Sequence, residues 1–302
     1  MRAPWLLPLS LSLMAACNAS NLHFAGSDGG NLPQDGGGDP NAQLLKFGVF
    51  GDCRPGSPDD TANYPTAVLT NIFTQMQSKG AQFAVGTGDY MFASYQTTVD
   101  AQVALHLQAQ AAFKGPVYRA MGNHECTGAT ASSCPNGNET PNVRAFMAQL
   151  APPSTPAPYY RVDVETPMGK AKFLMIAGNA WSQAQSDWLS KQLADPTEYT
   201  FAVRHVPPGT SAPGVNESEA LLAAAPFTVE LLGHAHEYRR VDAKHVISGN
   251  GGAPSRATEI AGFGFLLIEQ EANGNLAATE FDETTGNAID TWKLTPTGQT
   301  TN

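Results

Sequence analysis

Five times along this chain a short apolar run stops at a turn and gives way to side chains that carry chemistry. KFGVF runs into Gly51-Asp52, QFAVGT into Gly88-Asp89, and PVYRAM into Gly122-Asn123-His124-Glu125. YTFAVR runs into His205-Val206-Pro207, and TVELL into Gly233-His234-Ala235-His236. Apolar runs of this length bounded by turn residues read as buried strands. Four of the seven histidines fall in these five places, so the chemistry is gathered at strand ends. In open α/β sheets that edge is where sites are built.

The intervening segments complete the architecture. Asn63 to Gln77 carries Val68, Ile72, Phe73 and Met76 at helical spacing, and Thr98 to Phe113 has one apolar face. Asn142 to Leu150, Ser182 to Ala194 and Ser218 to Ala224 read as further helices. YYRVDVET and AKFLMIAGN read as antiparallel strands joined at Met168-Gly169. After His236 the pattern turns mostly β: YRRVDA, HVISGN, FGFLLIEQ, LAATEFDE and AIDTWKL. Alternating β and α followed by hairpins predicts an α/β (α+β) fold, a two-sheet β-sandwich flanked by helices in four layers. One domain is expected over residues 43–296, since neither a repeat nor a second change of composition appears. His106, among Ala, Leu and Gln, reads as a surface or satisfied core residue.

The residue types at the five ends suit borderline-hard cations. Carboxylate oxygens and imidazole nitrogens bind Zn, Mn and Fe, and an amide carbonyl can complete the shell. Each block alone is weak, because Gly-Asp is common at ordinary turns. Gly233-His234-Ala235-His236 is the most specific, since two imidazoles at the end of an apolar strand are costly unless used. No HExxH helix is present, which argues against a zinc peptidase.

In order and spacing the blocks resemble the calcineurin-like metallophosphoesterases, a family that includes the purple acid phosphatases. Its pattern runs D-x-H, GD, GNH[DE], H, GHxH, and SGNGG at Ser248 resembles the glycine-rich turn that often follows. The resemblance implies a two-sheet sandwich and two divalent or trivalent metals (Fe, Mn or Zn). Asp89 would bridge them. Asp52 and His236 would bind the first, and Asn123, His205 and His234 the second. His124 would stand near the leaving group as general acid or phosphate-stabilising donor, and Asn123 would also meet substrate. Metal-bound hydroxide would then attack phosphorus in line.

The first block departs from the family pattern. Arg54 stands where His is usual, and Phe92 where the purple acid phosphatases carry a Tyr; Tyr90 and Tyr95 are out of register. The first site has thereby lost its fourth protein ligand. Either water or substrate fills the gap, or that site is weak and one metal serves. Arg54 itself could fork two N–H donors onto a phosphate, or could make a surface ion pair with Asp59 or Asp60.

The expected function is an exported phosphatase of small phosphate monoesters. A phosphodiesterase of the same fold and a non-catalytic metal- or phosphate-binding lipoprotein are the alternatives. The formal charge of -10 argues against nucleic acid as the main partner. Residues 1–16, with Arg2 and an apolar run from Trp5 to Met14, read as a secretory signal. Met14-Ala15-Ala16-Cys17 resembles a bacterial lipobox, in which Cys17 becomes the lipid-modified anchor to a membrane facing the periplasm or cell exterior. The alternative is an ordinary signal cut near Ala16. Residues 17–42, rich in Gly, Asp, Asn and Pro, read as a flexible tether in which His23 is a bystander. Cys126 and Cys134 flank a short polar loop and would pair on export, leaving Cys53 as a buried thiol or a competitor for Cys126.

Overall fold

The computed structural model describes residues 22–23, 39, 42–127, 140–256 and 262–301. Cys17, Cys134 and nearly all of the leader and tether lie outside them. The strands are β1 (Leu22–His23), β2 (Lys46–Phe50), β3 (Phe83–Gly86), β4 (Val117–Arg119), β5 (Tyr160–Thr166), β6 (Gly169–Ile176) and β7 (Tyr199–Arg204). They continue as β8 (Val229–Leu232), β9 (Tyr238–Arg240), β10 (His245–Ser248), β11 (Gly264–Gln270), β12 (Leu276–Asp282), β13 (Ala288–Leu294) and β14 (Thr300–Thr301). The α-helices are α1 (Thr66–Ser78), α2 (Gln96–Gln110), α3 (Asn123–Thr127), α4 (Pro141–Ala145), α5 (Gln183–Leu193) and α6 (Val215–Ala223). A turn of π-helix, Phe146–Leu150, extends α4. Among the described residues no helix is long and apolar enough to cross a membrane.

Two seven-stranded sheets form, ordered β1-β5-β6-β7-β8-β10-β9 and β14-β13-β12-β11-β2-β3-β4. In the first, β6, β7, β8 and β10 run parallel. In the second, β2, β3 and β4 do. Between the sheets lies an apolar layer from both inner faces, with Phe47, Val49, Phe83 and Val85 meeting Phe173, Met175, Phe201 and Val203. Four aromatics anchor it: Phe47 stacks on Phe83 at 5.3 Å and Phe173 on Phe201 at 4.6 Å, with Phe47 edge-on to Phe173 at 4.9 Å. Helices α1 and α2 cover the outer face of the second sheet through Leu69, Ile72, Phe73, Val99 and Val103. Helices α5 and α6 cover the first through Leu189 and Leu222. This is the four-layer sandwich expected from the alternation of elements.

Several boundaries differ from the sequence reading, for local reasons. Helix α1 begins only at Thr66, because Pro65 precedes it and the residue before a proline is held out of helical geometry. Helix α6 starts at Val215, behind a left-handed Gly214. GNHE does not extend β4, which stops at Arg119; Asn123 opens the short helix α3 instead. The two-residue strands β1 and β14 have no apolar run of their own and exist only by pairing with β5 and β13. His106 is fully buried, between the Tyr64 hydroxyl at 3.2 Å and Arg119 at 3.3 Å, so it is a satisfied core residue.

The turn after β10 is tied to the sheet by Glu280, a buried carboxyl on β12 that accepts from the Asn250 amide at 2.8 Å. Burial pushes the Glu280 pKa from 4.5 up to about 8. The unfolded chain therefore loses this proton near pH 4.5 while the folded chain keeps it to about 8. The folded state binds more protons in that window, so this group makes stability fall as pH rises through it. Glu280→Gln, which is neutral throughout, is expected to flatten the slope of urea midpoint against pH between 5 and 8. Parallel slopes for the two proteins would exclude the carboxyl as its source.

Candidate metal and phosphate site

All five motif-bearing strand ends meet at one edge of the sandwich. Asp52 follows β2, Asp89 follows β3 and Asn123 and His124 follow β4, all from the second sheet. His205 follows β7, and His234 and His236 follow β8, from the first. The sheets are joined there by the His205 ring, whose Nδ1 lies 3.0 Å from the Thr87 carbonyl.

The backbone at these ends is strained. Six non-glycine residues among those described have left-handed φ, and four are in the site: Asp52 (54°), Asp89 (60°), His234 (72°) and His236 (53°). Such conformations cost about 1–3 kcal/mol each and cluster where function requires them. Glycines that pack against these ends serve close approach. A Cβ on Gly122 would sit 2.3 Å from Asp89 Oδ1, and one on Gly249, in the SGNGG turn, 2.4 Å from Asp52 Oδ2.

Glu125 has a role that the sequence reading missed. Its buried carboxylate accepts from the backbone N–H groups of Gly122 (2.8 Å), Asp89 (2.8 Å), Tyr90 (2.6 Å) and Met91 (3.3 Å). It pins the turn carrying Asp89 to the turn carrying Asn123. The only signal was its place at the end of the GNHE block.

Around Asp89 the polar atoms crowd together. His205 Nε2 lies 3.2 Å from Asp89 Oδ1 and 3.1 Å from Asn123 Oδ1, and His234 Nδ1 lies 3.1 Å from the same amide oxygen. Because the Thr87 carbonyl can only accept, His205 donates through Nδ1, and in the neutral ring Nε2 carries a lone pair. That lone pair then faces two oxygens with no proton between them. Either a second proton or a cation must sit there. Burial opposes a charged ring, yet Asp89 and Asp52 push the His205 pKa up to about 9. Metal bonds of 2.0–2.2 Å place neighbouring ligand atoms about 3 Å apart, the spacing seen here. Asp52 adds a buried Oδ1 without a hydrogen-bond partner, and Asp52, Asp89 and His205 bring ligand atoms within 4.8 Å of one another. Asp89, Asn123, His205 and His234 therefore fit a metal ion.

The other side of Asp89 is different. Arg54 is 6% exposed, which rules out a surface ion pair with Asp59 or Asp60. Its Nε lies 3.4 Å from Asp89 Oδ2, its Nη2 3.0 Å from His236 Nε2, and its guanidinium 4.5 Å over the Phe92 ring. His124 packs edge-on against the same Phe92 at 4.4 Å, with Nε2 3.7 Å from Asp89 Oδ2. Burial raises the Asp89 pKa, but His205, His124 and Arg54 hold it well below the carboxylate range. Burial and then His205 lower His234 to about 4, and burial and then Arg54 lower His236 to about 4. Asp52 is pushed up to about 7 by burial. Cys53 is a free, buried thiol; Cys126 is disulfide-bonded, and the expected partner Cys134 lies outside the described residues.

Residues 45–238 match the family model of the calcineurin-like phosphoesterases. The fold is similar to that of the purple acid phosphatase PPD1 from yellow lupin (Lupinus luteus), with a TM-score of 0.63 and 16% identity over 84% of this chain. The match covers only 54% of the lupin chain. It is also similar to a dimetal phosphatase from Danio rerio, with a TM-score of 0.56 and 13% identity, covering 85% of this chain and 99% of that one. No curated protein matches the sequence.

The Glu125 clamp can be tested without any metal. Glu125→Gln replaces two acceptor oxygens by one, leaving at least one of the four N–H groups unpaired, at a cost of about 1–3 kcal/mol. The expected result is a lower urea midpoint with faster amide exchange at Asp89, Tyr90 and Met91. Unchanged exchange at these amides would remove Glu125 from this role.

Proposed function

The chain belongs to the calcineurin-like phosphoesterase family, and from that premise we propose that it is a metal-dependent phosphatase acting on small phosphate monoesters. The observation that carries this reading is the crowd of acceptors at Asp89, Asn123, His205 and His234, with Arg54 and His124 on the opposite oxygen of Asp89. A bound metal would supply Lewis acidity, activating water at neutral pH and drawing charge from the phosphoryl oxygens.

The remaining tasks fall to the chain's own residues. Asn123 would contribute its amide oxygen to the metal and stands where substrate would approach. His124, protonated at Nε2, would give its proton to the leaving alkoxide. Arg54 would donate paired N–H groups to the phosphoryl oxygens. The permanent Arg54 cation beside Asp89 would attract the dianion of a monoester more strongly than the single charge of a diester. His124→Ala is expected to lower kcat on p-nitrophenyl phosphate by about 10²–10⁴, with metal content unchanged. Loss of metal would make His124 a ligand. Faster turnover of bis(p-nitrophenyl) phosphate by the unmutated protein would overturn the monoester preference.

We further propose that the domain works outside the cytoplasm, tethered by a lipid on Cys17. Support comes from Arg2, the apolar run from Trp5 to Met14, the small residues before Cys17 and the Gly- and Asp-rich stretch after it. The disulfide at Cys126 suits an oxidising compartment. Cys17→Ser should abolish incorporation of labelled palmitate and move the protein to the soluble fraction with kcat unchanged. Labelled fatty acid retained by that variant would exclude Cys17 as the anchor.

A further inference from the structure

The donors that the family resemblance gives to a first metal, Asp52, Asp89 and His236, do not fit one in this chain, and Arg54 is the cause. His236 Nδ1 lies 3.0 Å from the Pro254 carbonyl, which can only accept. Nδ1 therefore carries the ring hydrogen, and Nε2 holds the ring's one available lone pair. Arg54 Nη2 lies 3.0 Å from that Nε2, and arginine can only donate. The lone pair a metal would need is already in use. A metal bonded along it at about 2.1 Å would fall about 1 Å from Nη2, where no ion can sit.

Asp89 Oδ2 accepts from Arg54 Nε at 3.4 Å, with His124 Nε2 3.7 Å away, so a permanent cation already stands against the oxygen a first metal would use. Of the first-site donors, only Asp52 Oδ1 accepts no hydrogen bond, with His236 Nε2 3.6 Å away. One carboxylate oxygen is far short of the three or four protein ligands that hold such an ion. The guanidinium is also fixed in place. It is buried, lies over Phe92, and donates from Nη1 to the Pro55 carbonyl at 3.1 Å.

We infer that Arg54 takes the part of the first metal: the chain holds one metal ion, on Asp89, Asn123, His205 and His234, and the guanidinium is the second cation of the centre. Three of its five N–H groups are engaged by Asp89, Pro55 and His236, which leaves two for an incoming anion. That anion is a phosphate monoester on the strength of the phosphatase reading above, whereas the metal count stands on the geometry alone. The permanence of the guanidinium charge makes the second cation independent of metal supply.

The test is the metal stoichiometry of the purified protein, stripped with a chelator, reloaded with Mn(II) and freed of excess. Metal per chain and the low-temperature electron paramagnetic resonance spectrum are measured on one sample. One equivalent with the spectrum of an isolated ion is expected. Arg54→His, which returns an imidazole to the first block, is expected to take up two equivalents and give an exchange-coupled spectrum. Two equivalents with coupling in the unmutated protein would overturn the inference, as would retention of no metal. One equivalent in a folded Arg54→His variant would remove Arg54 as the cause. Should that variant fail to fold, the unmutated stoichiometry still decides. One equivalent without phosphatase activity would leave this inference standing and sink the proposed function; two equivalents with activity would do the reverse.

Discussion

Mutual repulsion among acceptors packed around Asp89 is the interaction on which the rest of this centre depends. A carboxylate oxygen, an amide oxygen and an imidazole lone pair meet at 3.1–3.2 Å on buried side chains at the sheet edge. Left alone, such groups would move apart. They are kept together by the strands behind them, which enter from two different sheets and are locked by the aromatic layer between. The Glu125 clamp and the His205–Thr87 bond add local stiffness where the strands end. The fold thus holds in place an arrangement that only a positive charge can relieve, which is preorganisation in a concrete form.

Burial then limits how many charges the centre carries. His234 and His236, both lowered to about 4, are neutral at physiological pH. Asp89 keeps its negative charge because Arg54, His124 and His205 surround it. One carboxylate is thus the hub, with a permanent cation on one oxygen and the candidate metal ligands on the other. On the inference drawn above, the two sides of Asp89 would divide the work of binding an anion between protein and metal. Such a division would follow from the arginine that stands where the sequence pattern leads one to expect an imidazole.

Much of this was legible before any coordinates. The apolar runs marked the central strands, and the glycines before Asp52, Asp89, Asn123 and His234 marked where the strands stop. The four layers followed from the order of elements. What was not legible depended on contacts distant in sequence. Sequence alone left Arg54 open between a phosphate donor and a surface ion pair, since Phe92 and His236, which enclose it, lie 38 and 182 positions along. Glu125 looked like one more member of a motif, since nothing local says that four backbone N–H groups will converge on it. The strands β1 and β14 were invisible because two residues have no period. The short helix at Asn123 was not legible either, because five residues are too few to show a helical period.

The left-handed backbone at Asp52, Asp89, His234 and His236 has a consequence for the mutational landscape of the site. Asn tolerates that region of φ and ψ nearly as well as Asp or His, and Gly is at ease there, whereas β-branched residues are not. A saturation library at these four positions would therefore mix two kinds of loss. Asn and Gly variants report the change of side chain alone, while Val, Ile and Thr variants also carry the energy of forcing the strand end open. Their destabilisation would extend to the sheet edge, beyond the centre itself. Ranked by folded yield instead of activity, the library should sort by backbone tolerance first and by side-chain chemistry second.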